Sequence, residues 1–549
     1  MVPGHEGDRP PSRRCPGGFR HDSGDGRAAE LTRRAQAGST GSSAPADNLA
    51  HSASRSAVVT MAGQLGRVLV QVAGVVVLAR LLDPQDYGLL AMVMVIIGIG
   101  EVFRDFGLST ASVQAKTLSD QERSNLFWIN SGIGLLLAGA VAACSPLVAL
   151  LFSDERLVGL TLVLSATFLF NGVGTQFRAD LNRGLRFGRL VVADMAAHLL
   201  GLLAGVVMAL AGFGYWALAG QQIVLSVVTL VAVAALTGWR PGRYRRDVPI
   251  RKFVSFGADV VGAQLLGYAS KNVDTMVIGV TLGATPLGLY NRAYQLLALP
   301  LSQVNAPATR VALPVLSRLQ DDRERFAAYL LAGQTAMLHV VVTIFSLSAA
   351  LAVPLVELVL GTKWAAAAPL FQILAVAGVF QTAGYATYWT FLAKGLTRSQ
   401  LLWQLASRPL VIGAVIAGSF WGLAGIATAY AGASVATWAL GLLWIGRASD
   451  APTGRMAINV LRVIAGYLVC AAAAYAVFRL LGDAPAVLVV LAGAGAWLAA
   501  WALVVAVWPS FRADVVTMLR MARLLRGGRG RAQDAAGPGR RSPAEVGKS

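Results

Sequence analysis

Only three cysteines occur in the 549 residues, Cys15, Cys144 and Cys470. They are too scattered for a disulfide framework, and their spacing fits no metal site. No Gly-x-x-x-x-Gly-Lys-Ser/Thr run is present. Gly361-Thr-Lys-Trp364 and Lys394-Gly-Leu-Thr-Arg-Ser399 fall short of it, so ATP hydrolysis by this chain is not expected. The first 55 residues hold no apolar h-region, so a cleavable signal peptide is not expected there. Ten-residue alternating segments are missing too, which excludes an outer-membrane barrel. Charged residues are scarce, at 14%, against roughly 25% in a soluble domain. With no nucleophile motif, no metal constellation and only short outer loops, neither an enzyme nor a bound cofactor is expected.

What the chain has instead is apolar length. Hydrophobic residues make up 56% of it and the mean hydropathy is +0.60. Apolar runs of about 20 residues, the length that crosses a bilayer as a helix, recur from Ala57–Arg80 to Ala484–Val507 and number fourteen. The expected fold is all-α and polytopic. The net charge of +19 does not point to nucleic acid, because the basic residues fall in the tails and in alternate loops. Arg183, Arg186, Arg243, Arg245, Arg318 and Arg323 mark one side, and few basic residues mark the other. The positive-inside rule makes the first side cytoplasmic, with both termini there. Residues 1–55 read as a disordered tail, and 509–549 as a basic one suited to an anionic membrane surface.

A weak internal repeat runs through the chain. Leu82-Asp-Pro-Gln-Asp-Tyr-Gly88-Leu89 answers Leu282-Gly-Ala-Thr-Pro-Leu-Gly288-Leu289, Pro146-Leu-Val answers Pro354-Leu-Val, and Leu181-Asn-Arg-Gly184-Leu185 answers Leu392-Ala-Lys-Gly395-Leu396. The offsets drift from 200 to 211, always upward. Six spans separate the copies, so both enter the membrane in the same direction, an arrangement that places substrate between the halves near midplane. The expected lobes are 56–237 and 253–445, joined by a basic linker at 238–252, with two further spans in 446–508.

Polar residues within the spans are the candidate site. Gln264, Tyr268, Lys271 and Thr275 share one face of the seventh span, and Gln64, Arg67 and Gln71 share one face of the first. The expectation is that these faces meet across a central cavity and offer cations to an anionic substrate, the guanidinium gripping phosphate oxygens in pairs. Interhelical hydrogen bonding is the other reading. Asp274 and Arg292 lie at equal distances from Gly283, the centre of a hairpin turn, and are expected to form a structural ion pair, although Arg292 is also a candidate substrate ligand. Asp194 and His198, four residues apart, are a candidate proton relay or a packing pair. His339 reads as a satisfied interior histidine, and Arg408 as lining the cavity or snorkelling.

The run Asn272-Val-Asp274, Ile278-Gly279, Leu282-Gly283, Leu287-Gly288-Leu-Tyr290, Ala293-Tyr294, Leu299-Pro300 resembles the polysaccharide-transporter branch of the multidrug/oligosaccharidyl-lipid/polysaccharide (MOP) flippase superfamily. Pro84-Gln-Asp-Tyr87-Gly88, Asn182-Arg-Gly-Leu-Arg-Phe187 and Gly214-Tyr-Trp-Ala217 extend the likeness to residues 56–445, closest to colanic-acid and O-antigen type flippases. The resemblance implies two six-helix lobes in a V around a cationic cavity, with alternating access. It implies a lipid-linked (undecaprenyl-diphosphate) oligosaccharide as substrate, moved across the bacterial cytoplasmic membrane. Membrane lipids, a polymerase and glycosyltransferases of the same pathway are the implied partners, with a proton or sodium as coupling ion. The family's cavity cations map onto Arg67 and Lys271, then Arg292. Flipping of the peptidoglycan lipid precursor, drug export and a non-transporting scaffold are the competing readings.

Overall fold

The computed structural model describes residues 63, 66–105, 119–245, 251–482 and 484–518. Among these there is no strand. The helices are α1 (66–81), α2 (Pro84–Asp105), α3 (Asp120–Ala143), α4 (Ser145–Phe152), α5 (Arg156–Arg183), α6 (Phe187–Leu210) and α7 (Tyr215–Thr237). They continue as α8 (Arg251–Leu282), α9 (Ala284–Arg318), α10 (Arg323–Ala350), α11 (Ala352–Val359), α12 (Ala367–Ala393), α13 (Thr397–Gly418) and α14 (Gly422–Ala448). The last three are α15 (Thr453–Leu480), α16 (Ala486–Val507) and α17 (509–518). Ten of the described segments are long and apolar enough to cross a bilayer, and one of these, Thr397–Ala448, holds both α13 and α14.

The order of helices recurs. The short helix α4 follows α3 as α11 follows α10, each built around a proline, Pro146 or Pro354, close to its start. Proline is well placed there, because its missing N–H costs nothing in a first turn. Both long helices before them open on a capped first turn. Ser119 and Glu122 form a reciprocal capping box, and Asp322 accepts from the Arg325 N–H at 3.1 Å. The chain breaks at Cys144 and Leu351 before each short helix, so both long helices end there.

The main core passes through both halves of the repeat. Leu89, Phe168, Leu287, Tyr290, Phe345, Trp364 and Phe371 are all buried in it. α9 packs more extensively along α2 than along α8, its own hairpin partner. Small residues allow that closeness: a Cβ on Gly88 would overlap the Ala284 carbonyl, and one on Gly288 the Pro84 carbonyl. The two glycines matched by the repeat thus sit against each other's helices. A second cluster seats α15, α16 and α17 on α10 through Tyr467, Trp497 and Phe511.

Candidate functional site

Gly283, with φ +86°, turns the chain between α8 and α9. Lys271 stands well inside α8, exposed, and lines a cavity of about 710 Å³. The remaining walls come from α9, α12, α13 and α14. Arg408, midway along α13, lines the same cavity, and no Asp or Glu is among its described lining. Arg408 precedes Pro409 inside the helix, which suits a membrane helix whose freed carbonyl can find other partners.

Aromatic rings and amides fill the rest of the wall. Gln400, Trp403, Gln404, Ser407 and Arg408 form one stripe on α13, and Gln381, Tyr385 and Tyr388 form another on α12. The Tyr385 and Tyr388 rings meet edge to face at 5.9 Å. Thr387 Oγ1 and Trp438 Nε1 are buried at this wall without a partner among the described residues, leaving two donors for a ligand.

At the opposite ends of α8 and α9, around the turn at Gly283, the two halves are clasped. Trp364 Nε1 donates to the Ala79 carbonyl at 2.8 Å, Lys363 pairs with Asp83 at 2.7 Å, and Arg80 donates to the Leu358 carbonyl. The Arg292 guanidinium lies 3.6 Å above the Tyr87 ring and 5.8 Å from that of Trp364. The cavity thus lies away from a tightly closed end.

Several expectations need correction. Asp274 and Arg292 do not pair. Asp274, buried at 3% exposure, accepts from Tyr290 Oη at 2.9 Å and from the Thr275 N–H at 2.8 Å. Arg292 instead donates to Gln295 Oε1 and stacks on Tyr87. Equal depth predicted the pair, but rotation decides it. Tyr290 and Arg292 are two positions apart, about 200° around a helix. When Tyr290 faces Asp274 on α8, Arg292 must face α2. Arg292 therefore lies in the clasp and not in the cavity.

The stripes of α1 and α8 are not brought together at this cavity either. Arg67 and Gln71 are not among its described lining, Gln264 is exposed outside it, and Gln64 lies outside the described residues. Gly63, Gly66 and Gly74 press α1 onto Val191, Met195 and Leu202 of α6, which fixes its rotation. On α8, Tyr268 Oη reaches the carbonyls of Met94 and Val95, both at 3.3 Å, and so belongs to the contact with α2.

Asp194 and His198 do not form a relay. The carboxylate is held by Arg178 at 2.5 and 2.7 Å, while His198 Nδ1 lies 2.7 Å from the Asp194 backbone carbonyl. His339 is buried beside the Tyr467 hydroxyl at 3.0 Å and 3.5 Å from Asp514. Glu101 and Arg104 pair near the end of α2 and draw in Asn171 and Thr175 of α5. Beyond the helix ends, Lys394 hydrogen-bonds the Asp450 carboxyl and holds it below the usual carboxylate value. Among the described residues no group of three or more His, Cys, Asp or Glu could hold a metal.

Sequence reasoning named Lys271, left Arg408 undecided and missed the aromatics. The signal for the rest was present. Gln400, Gln404, Ser407 and Val411 recur at helical spacing, as do Gln381, Tyr385, Tyr388 and Phe391.

Comparison with known proteins places this arrangement. The profile of a family described as "Polysaccharide biosynthesis protein" matches residues 77–369, more than half of the chain. The chain is 30% identical over 353 residues to the lipopolysaccharide biosynthesis protein WzxC of Escherichia coli (strain K12), covering 62% of this chain and 70% of that one. It is 27% identical over 322 residues to the teichuronic acid biosynthesis protein TuaB of Bacillus subtilis (strain 168), covering 55% of this chain and 63% of that one. In three dimensions it resembles the lipid II flippase MurJ in an inward closed conformation, with a TM-score of 0.60 at 14% identity over 80% of this chain and 98% of MurJ. The likeness to MurJ shows a shared all-helical fold, and the profile match and the likeness to WzxC show that the chain belongs to the polysaccharide biosynthesis protein family.

Proposed function

We propose that this protein is a carrier that moves a lipid-linked oligosaccharide, a repeat unit on a polyprenyl diphosphate, across the membrane for surface-polysaccharide assembly. One observation carries the reading: the 710 Å³ cavity holds two cations, Lys271 and Arg408, amid aromatic rings and amides, with no acid among its described lining. A diphosphate needs cations, and Arg and Lys grip its oxygens as fork and point charge. Sugar rings need flat apolar faces and polar edges, which Trp403, Tyr385 and Tyr388 offer beside Gln381 and Gln404. Two of the relatives are named for lipopolysaccharide and teichuronic acid biosynthesis, which favours polysaccharide over the peptidoglycan precursor. A drug exporter for cations would want an acidic cavity.

In this reading the halves 56–237 and 253–445 rock against each other, α1, α8 and α9 complete the fourteen spans with those already apolar enough, and 446–508 stands outside the pair. The positive-inside pattern makes the clasped end the outer one and both termini cytoplasmic. Replacing Lys271 and Arg408 with Ala together should abolish polymer export in cells that rely on this protein, with the variant still present in the membrane fraction. Normal polymer at normal protein levels overturns the reading.

A further inference from the structure

We propose that Asp274 is the site at which a proton binds and is coupled to occupancy of the cavity. This rests on the cavity reading above and deepens it by naming the coupling ion and its seat. Asp274 is buried at 3% exposure, deep in α8. Its oxygens meet two neutral donors, Tyr290 Oη and the Thr275 N–H. Among the described residues no cation pairs with it. On its own helix Lys271 is exposed to the cavity, and on α9 Arg292 turns away to Tyr87. From α14 Tyr430 approaches, and from α13 Arg408 acts on Tyr294. α2 and α4, which pack on the other side of α8, bring Met92 and Phe152 against Gly279. A charge buried at membrane depth calls for a charged partner, and the described residues provide none. A proton supplies the missing neutralisation.

A run of packed tyrosines lies between this acid and the cavity. The Tyr290 ring stacks on Tyr294 at 6.2 Å, and Tyr294 meets Tyr430 edge to face at 6.1 Å. Gln381 Nε2 donates to Tyr430 Oη at 3.1 Å and lines the cavity. A hydronium ion from the cavity gives its proton to one carboxylate oxygen of Asp274, and the water it leaves returns to the cavity. Once it is bound, the positive field of Lys271 and Arg408 is no longer offset by a nearby carboxylate. An anion then binds more tightly, and by reciprocity its binding favours the proton.

The test uses the full-length purified protein, with geranyl diphosphate as probe. Calorimetric affinity is measured from mildly acidic to mildly alkaline pH in wild type and in Asp274→Asn. The probe's own titration is common to both. The wild type should lose about 5- to 150-fold in affinity beyond the change seen in Asp274→Asn as pH rises, the range usual for coupled sites. Identical pH profiles overturn the proton assignment. Failure of the wild type to bind the probe at any pH overturns the cavity reading instead. Infrared spectroscopy supplies an independent readout. At neutral pH the wild type should show a protonated-carboxyl band that Asp274→Asn abolishes and Tyr290→Phe shifts, by loss of one hydrogen bond. A band that neither variant changes assigns the proton elsewhere and sinks the proposal.

Discussion

A single methyl added at Gly288 would put a Cβ on top of the Pro84 carbonyl of α2, with the Gly88 backbone beside it. Neither neighbour is a flexible side-chain end that can swing aside, so α2 and α9 must part. Overpacking of this kind costs about 1–3 kcal/mol. At about 1.4 kcal/mol per factor of ten, that lowers the population of the clasped state by roughly five- to a hundredfold relative to any state in which the helices are apart. The clasp holds against this with few strong contacts. Lys363–Asp83 is exposed on both sides, at 51% and 63%, and contributes about 0–1 kcal/mol. The Trp364–Ala79 bond adds about 1 kcal/mol. Spin labels at positions 83 and 363 report the separation of the clasped halves. In Gly288→Ala the distance distribution should broaden and lengthen against the otherwise unaltered labelled protein. An unchanged distribution together with an unchanged melting temperature would refute the close-approach reasoning.

Three further outcomes follow. Asp450, held below the usual carboxylate value of 3.8 chiefly by its hydrogen bond from Lys394, contributes stability that is present above that value and lost as pH falls through its lowered folded value. Asp450→Asn should flatten that acid limb of the melting curve while leaving neutral-pH transport intact, and an unaltered limb contradicts the assignment. Because Asp194 is occupied by Arg178, Asp194→Asn should lower the unfolding free energy by about 1 kcal/mol or less, the range for a partly exposed pair. It should leave the pH profile of transport where it was, and a displaced profile would revive the relay. Trp364→Phe removes the bond to Ala79 and should cost about 1 kcal/mol in a denaturation experiment. No loss would show the clasp to be held by packing alone.

The all-helical fold was legible because apolar length and alternate-loop charge are one-dimensional signals. The turn at Gly283 and the paired short helices after Cys144 and Leu351 could also be found by comparing repeats, since glycine and proline act locally. What could not be read was rotation about the helix axes. Asp274 and Arg292 matched in depth, yet Tyr290 took the acid and Tyr87 took the guanidinium. Gln71, on the same face as Arg67, matched Lys271 by repeat position, yet close packing through Gly63 and Gly66 onto α6 fixes α1 by contacts remote in sequence. The cavity's aromatic wall was visible only as periodicity. Without knowing that α12, α13 and α14 converge on Lys271, a stripe of Gln, Tyr and Trp reads as ordinary packing.

The central claim is that Lys271 and Arg408 recognise a diphosphate. Binding of farnesyl diphosphate and of farnesol to the purified protein, in wild type and in the Lys271→Ala/Arg408→Ala double variant, tests it most directly. A hydrogen bond to a charged group contributes about 1.5–3 kcal/mol, so each cation accounts for roughly a ten- to hundredfold change in affinity. The account predicts that the wild type prefers the diphosphate by at least about tenfold and that the double variant binds both ligands equally. Equal binding of the two ligands by the wild type, or an undiminished preference in the double variant, would contradict it.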